Sequence, residues 1–231
     1  MYYSLSIMLL VITSIFAMFA QFKVKNTFST YRNVNIKNQI TGAMAAKMVL
    51  EANGISDVTI NQIPGSLSDH YDPRSKVISL SQDVYAGTSI SAVSVATHEV
   101  GHAIQHHQSY PLLNFRNAFV PLVNLASRAV WPLTFLAIIL MYNFRYELGS
   151  QLLNIAAIAM VAVLLFHLIT LPVEIDASRR ALKQLEVSGI MQNEELAGAK
   201  RVLSAAAMTY IAALAVSVAN LVRILAMRND R

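Results

Sequence analysis

The sequence predicts a mainly α-helical membrane protein that crosses the bilayer several times and carries a small α/β portion facing the cytoplasm. Three observations support this fold class. Hydrophobic residues make up 55% of the 231 residues and charged residues only 13%, whereas soluble domains carry about 25% charged residues. The apolar residues are concentrated in four long runs. A polar stretch between the first two runs contains the motif His98-Glu99-Val100-Gly101-His102.

The four apolar runs are long enough to be membrane spans, since about 20 helical residues cross about 30 Å of hydrocarbon. Residues 1–22 are predicted to be an uncleaved anchor rather than a signal peptide, because no basic segment precedes the run and no small-residue cleavage site clearly ends it. The other three spans are predicted at 118–142, 151–171 and 204–226.

The distribution of basic residues predicts which segments face the cytoplasm. Eight lysine and arginine residues lie in the segment 23–117 and five lie in 172–203, against one in the link 143–151. Because cytoplasmic loops are enriched in these residues, both large segments are predicted to be cytoplasmic and the N-terminus external. The basic C-terminus, with Arg228 and Arg231, fits this topology poorly. Either the first or the last span fails to cross fully, or the rule does not apply at this end.

Local patterns within 23–117 predict the small α/β portion. Residues 41–53 show the spacing of an amphipathic helix, and residues 58–63 alternate as in a strand. Residues 69–74 have the composition of a loop. A second strand is predicted at 76–80, just before the motif helix. That strand is either an edge to which an extended peptide can pair or an ordinary hairpin strand.

The HEVGH motif is predicted to bind a metal ion. Positions i and i+4 share one face of a helix, so His98 and His102 can direct two imidazoles at one ion. Glu99 lies beside His98 and can act as a base toward a water at that ion, as amide hydrolysis requires. The chain has no cysteine, so histidine and carboxylate side chains must supply the ligands, and zinc is the predicted ion. The simpler alternative is a chance match in a structural helix, but burying these polar side chains would then require another partner.

The residues around the motif support a helix at this place. Ser89 or Thr88 is predicted to cap its N-terminus, because a hydroxyl oxygen can accept from the first free amides. Gly101 would allow another segment to approach closely. His106 and His107 are interpreted as the polar end of the helix rather than as ligands, because the spacing of a third helical histidine is not met.

A catalytic zinc has three protein ligands, so the motif needs a third. Glu174 is preferred because it follows the third apolar run, from which the chain can return beside the motif helix. Asp176 is the alternative ligand, about 200° away around a helix. Both carboxylates could instead be favourable charges at a helix start near Pro172.

Several stretches resemble the YugP-type zinc-dependent membrane peptidases of the Zn_peptidase_2 family. They are LSDHYDP at 67–73, LS at 80–81, VY at 84–85, SI at 89–90, VATHEVGHAIQ at 95–105 and EIDASRRA at 174–181. The sequence is more distantly similar to the HtpX and CAAX prenyl protease group of membrane-embedded gluzincins. That similarity implies a zincin-like cytoplasmic portion and a third zinc ligand at Glu174. The distant group usually has an aspartate four residues later, where this chain has Ser178, so the role of Asp176 stays open.

The predicted function is a membrane-integrated zinc metalloendopeptidase. His98, His102 and Glu174 would hold one zinc ion, and Glu99 would transfer the proton. Cobalt or manganese could occupy the same ligands in vitro. The donor that stabilises the oxyanion is left open among five candidates: His70, Tyr71, His167, Arg179 and Arg180.

The expected partners are the lipid bilayer and a peptide or membrane-protein substrate, in membrane-associated or misfolded proteins at the cytoplasmic face of a bacterial-type inner membrane. No basic run with interleaved aromatic residues indicates nucleic-acid binding. The alternative function is a non-catalytic membrane binding or scaffold protein with a structural or vestigial metal site. A fourth ligand, such as His106 or Asp176, would favour this alternative because structural zinc sites are closed.

Overall fold

A computed structural model describes residues 2–143 and 145–229, and these residues are mainly helical. The elements are α1 (Tyr2–Arg32), α2 (Gly42–Ala52), β1 (Thr59–Ile63), β2 (His70–Asp72), β3 (Val77–Ser81), α3 (Gln82–Tyr85), α4 (Ile90–His107), α5 (Pro111–Tyr142), α6 (Tyr146–Val187) and α7 (Glu194–Asn229). Four helices, α1, α5, α6 and α7, are long and apolar enough to cross a membrane, judged by length and composition. The helical class with a small sheet agrees with the sequence prediction.

The chain divides into two compact units. One consists of Met1–Ala20, Phe115–Leu171 and Thr209–Arg231, and the other of Gln21–Asn114 and Pro172–Met208. In the residues that the structure describes, the first unit is helical apart from Asn143 and Arg145, with a core of apolar side chains from α5, α6 and α7. The second unit contains the sheet and the motif helix α4, around a separate apolar core.

The helices α2 and α4 begin at hydroxyl caps. The Oγ1 atom of Thr41 accepts a hydrogen bond from the amide of Met44 at 3.2 Å, and the Oγ atom of Ser89 accepts one from the amide of Ala92 at 3.2 Å. These bonds satisfy amides that have no partner within the helix. The predicted cap of the motif helix is therefore confirmed at Ser89.

The sheet has the strand order β1-β3-β2, so β3 is central. It pairs with β1 in parallel and with β2 antiparallel. The interpretation of this strand as a free edge is wrong, because both of its sides are hydrogen-bonded, and the hairpin alternative is confirmed. The loop predicted at 69–74 is wrong at His70–Asp72, where β2 forms. Asp72 explains the difference, since its carboxylate accepts from the amide of Arg74 and the hydroxyl of Ser75 and so closes a tight turn.

The helix α6 is longer than the sequence suggested at both of its ends. It begins at Tyr146, inside the predicted link, with Glu147 in its first turn where the helix dipole favours a negative charge. It also continues through Pro172 without a break. A proline inside a helix costs about 3 kcal/mol. Hydrogen bonds from Gln105 of α4 to Val173 and Asp176 stabilise the turn that follows the proline.

Candidate metal centre

The motif lies in the buried middle of α4. Glu99 is 7% exposed and His102 is 8% exposed, while His98 is partly buried. The two imidazole rings are neighbours, with centroids 4.8 Å apart and planes inclined at 81°. The spacing of four residues therefore places both rings on one face of the helix, as the sequence predicted.

Glu174 of α6 completes a group of three side chains that could hold a metal ion. Its Oε2 atom lies 3.3 Å from Nε2 of His98 and 3.5 Å from Nε2 of His102. One ligand atom from each of the three residues lies within 4.8 Å of the others. Ligand atoms about 2.0–2.2 Å from a tetrahedral ion are roughly 3.3–3.6 Å apart, so both measured pairs suit a tetrahedral ion with two imidazole nitrogens and one carboxylate.

Burial adds a second argument that this group is built for a cation. Glu174 is only 2% exposed, and an ionised carboxylate is costly to bury unless charges or hydrogen bonds compensate it. The imidazole of His98, whose Nε2 atom lies 3.3 Å from Oε2 of Glu174, compensates it in part. A divalent cation among the three side chains would compensate the carboxylate more completely, because neutral imidazoles carry no charge of their own.

The approach of α6 to α4 depends on Gly101. A Cβ atom at this position would lie 2.5 Å from the carbonyl oxygen of Ala177 and 3.1 Å from its carbonyl carbon. These neighbours are backbone atoms, which cannot rotate away. The glycine between the two histidines therefore lets α6 come close enough for Glu174 to reach both rings.

We expect Gly101→Ala to lower the thermal stability of the metal-free protein and to weaken its zinc binding. Alanine gains about 1 kcal/mol of helix propensity over glycine, whereas overpacking of this kind typically costs about 1–3 kcal/mol. Zinc binding should weaken because the added methyl group would displace α6 and Glu174 with it. Thermal unfolding in detergent and zinc titration measure the two effects. Gly198→Ala is the matched control, since its Cβ would meet side-chain atoms of Tyr31 and Ile90; an unchanged Gly101→Ala protein would contradict the packing argument.

Each histidine has a second polar partner that the sequence alone did not identify. The Nδ1 atom of His98 lies 3.2 Å from Oγ of Ser178, and Nδ1 of His102 lies 3.0 Å from Oε1 of Gln105. Such outer contacts orient metal-binding imidazoles. The spacing of the sequence could have indicated both partners, because residues three or four apart are neighbours on a helix surface. Gln105 follows His102 by three residues, and Ser178 follows Glu174 by four.

Asp176, the alternative ligand, is not among the three side chains grouped in the described part of the chain. Its Oδ2 atom accepts hydrogen bonds from the amide of Gln105 at 2.8 Å and from Nε of Arg180 at 2.5 Å. Arg180 also donates to Oε1 of Gln108 at 2.6 Å and lies over the ring of Tyr110. Asp176 thus belongs to a polar network that reaches His102 through Gln105.

The catalytic candidate Glu99 follows His98 in α4 and is 7% exposed. Among the residues that the structure describes, none forms a hydrogen bond or ion pair with its carboxylate. Its carboxylate oxygens are therefore available to a water molecule or a substrate proton.

The other candidates have separate surroundings. Nδ1 of His106 lies 2.8 Å from the hydroxyl of Tyr71. Burial raises the pKa of that phenol to about 12, so the phenol keeps its proton at neutral pH.

His70 is exposed and its ring contacts the carbonyl of Ser68. Three further residues are placed as follows: His107 ends α4, Arg179 is exposed on α6, and His167 lies in the first unit beside Ser217.

Comparisons with known proteins agree with the chemistry of these side chains. The model of the Zn_peptidase_2 family, described as "Putative neutral zinc metallopeptidase", matches residues 6–229. A Bacillus subtilis (strain 168) protein named "Putative membrane protease YugP" is 47% identical over 205 residues, which cover 88% of this chain and 88% of that protein. No solved structure matches the chain. The resemblance indicated by the motif stretches is therefore confirmed.

Proposed function

This chain belongs to the Zn_peptidase_2 family, and we propose that it is a membrane-integrated zinc metalloendopeptidase of the gluzincin type. One observation carries the proposal: His98 and His102 from α4 meet Glu174 from α6 at 3.3–3.5 Å, next to the buried Glu99. Two imidazoles, one carboxylate ligand and a separate carboxylate base are the parts that zinc-assisted hydrolysis of an amide needs.

Within this proposal each side chain has one role. His98, His102 and Glu174 hold the ion, and their partners Ser178 and Gln105 keep the imidazoles in place. Bound zinc supplies Lewis-acid chemistry, polarising the scissile carbonyl and making a water more acidic. Glu99 accepts the proton of the attacking water and delivers it to the leaving amine.

The arrangement also favours an enzyme over a closed structural site. The two residues considered as a fourth ligand have other partners, because His106 contacts Tyr71 and Asp176 contacts Gln105 and Arg180. Among the described residues, the candidate group contains three ligands. A fourth position is then left for water, as in catalytic zinc sites.

Removal of the metal tests the proposal directly. We expect the purified protein to contain about one zinc per chain, to cleave an unfolded protein substrate, to lose cleavage with a chelator and to regain it when zinc is restored. Metal content is measured by mass spectrometry and cleavage by the release of fluorescent peptides. Cleavage that persists after the metal has been removed would overturn the proposed mechanism.

The proposed location is the cell membrane, with the metal centre on the cytoplasmic side. Four long apolar helices support a multi-pass protein, and the basic residues of 23–117 and 172–203 support the cytoplasmic side. Glu174 follows Leu171, the last residue of the third predicted span, by three residues. The proposed substrates are therefore membrane-associated or misfolded protein segments that reach the cytoplasmic face.

A single-cysteine experiment tests this topology, because the natural chain has no cysteine. We expect a membrane-impermeant maleimide to label Arg145→Cys in intact bacterial cells and to label Ser66→Cys only after permeabilisation. Both natural side chains are exposed in the structure, so the maleimide can react with a cysteine at either position once it has access to that side of the membrane. The reverse labelling pattern would place the metal centre outside the cytoplasm.

A further inference from the structure

The amide of Gln105 connects three groups at the metal centre. Gln105 is fully buried. Its Oε1 atom lies 3.0 Å from Nδ1 of His102, and its Nε2 atom lies 2.8 Å from the carbonyl oxygen of Val173 and 2.8 Å from Oδ2 of Asp176. We propose that Gln105 is a positioning residue, which fixes the tautomer of His102 and holds Glu174 in place. The inference rests on the proposed function and deepens it by assigning roles to Gln105 and Asp176.

The orientation of this amide follows from its neighbours rather than from its own atoms. A side-chain amide has a donating nitrogen and an accepting oxygen, and its orientation must be inferred from the hydrogen bonds it makes. The carbonyl of Val173 and the carboxylate of Asp176 are both acceptors. The two donor hydrogens of the Gln105 nitrogen must therefore point at these two groups, and the Gln105 oxygen must point at His102.

That orientation determines the form of the imidazole. Because Oε1 of Gln105 only accepts, Nδ1 of His102 must carry the hydrogen that it donates. The neutral ring then has its lone pair on Nε2, the nitrogen that lies 3.5 Å from Oε2 of Glu174. Asp176 thus acts on His102 through an intervening amide, whereas many metal-binding histidines contact a carboxylate directly.

The same amide holds the third ligand. Val173 and Asp176 are on either side of Glu174 along α6, and Gln105 donates to both from α4. Two hydrogen bonds to points that flank Glu174 restrict both the sliding and the rotation of α6 against α4. One buried side chain therefore orients one ligand directly and restrains another through its helix.

His98 provides an internal comparison. Its outer partner is the hydroxyl of Ser178, and a hydroxyl can donate or accept. That contact does not impose one tautomer on His98. Loss of Gln105 should consequently change the tautomer of His102 and leave the tautomer of His98 as it is in the parent protein.

Nitrogen NMR of metal-free protein with ¹⁵N-labelled histidine tests this inference without using catalysis. The spectra are recorded near pH 8.5, about two units above the pKa of an unperturbed imidazole, and the six histidines are assigned by single substitutions. We expect His102 of the parent to be almost entirely in the Nδ1–H form. In Gln105→Met, which has similar volume without the amide, we expect a mixture of both tautomers, and in Asp176→Ala a smaller change, because Val173 still orients the amide.

Zinc affinity gives the second measurement. We expect Gln105→Met to bind zinc about 10–100-fold more weakly than the parent and Asp176→Ala to fall between them, while the control Gln184→Met, an amide on α6 that bonds Asn53, matches the parent. An unchanged His102 tautomer in Gln105→Met overturns the inference; if that variant does not fold, an unchanged tautomer in Asp176→Ala does so. A parent that binds no zinc would instead refute the proposed function, and the tautomer measurement would still decide the role of Gln105.

Discussion

Replacement of Glu99 by glutamine should lower the rate of peptide cleavage by about 10²–10⁴-fold, the usual contribution of a general base, while zinc stays bound. Glutamine has nearly the same size and shape as glutamate but cannot accept a proton at neutral pH. Glu99 follows His98 in α4 and is buried, and its carboxylate makes no hydrogen bond or ion pair with the described residues. Its removal should therefore leave the three ligands, His98, His102 and Glu174, undisturbed.

The measurement pairs the cleavage rate with the zinc content of the same preparation. Glu186→Gln is the matched control, because it makes the same chemical change at an exposed position on α6 and should leave both quantities at parental values. Equal cleavage by Glu99→Gln and the parent would remove the general base from the mechanism.

The motif helix could be predicted well because its determinants are local. The hydroxyl of Ser89 caps the first turn, the histidines are four residues apart, and Gly101 stands where a neighbour must come close; the structure confirms each point. Glu174 could be preferred over Asp176 from its place after the third apolar run and through the family resemblance. The structure brings Glu174 to the two imidazoles and directs Asp176 to Gln105 and Arg180, while binding of an ion by these residues stays a prediction.

The features that the sequence did not reveal depend on contacts between distant segments. Nothing in residues 69–74 alone indicates β2, because this short strand forms through pairing with β3 and through the turn at Asp72. Continuity of α6 through Pro172 likewise depends on packing against α4 rather than on local propensity. The network around Gln105 joins residues 68 and 71 positions apart, a separation at which one sequence gives no pairing signal.

Replacement of Glu174 by glutamine should weaken zinc binding by more than the roughly 10–100-fold that loss of an outer partner costs, since a direct ligand and its negative charge are both altered. Without zinc, the folding stability of Glu174→Gln should not fall by a comparable free energy. In the metal-free parent, Glu174 is a carboxylate that is only 2% exposed and lies beside two imidazoles. An uncharged amide of the same shape costs less to bury than an ionised carboxylate.

Thermal unfolding with and without zinc separates these two effects. A ligand that binds only the folded state stabilises it by about 2.7 kcal/mol at a free concentration of 100 times Kd, so zinc should raise the unfolding temperature of the parent and scarcely that of Glu174→Gln. The control is Glu186→Gln, which keeps the three candidate ligands and should respond to zinc as the parent does. If Glu174→Gln bound zinc as tightly as the parent, the carboxylate of α6 would not be a ligand, and the helix pair α4 and α6 would hold the motif without completing a metal site.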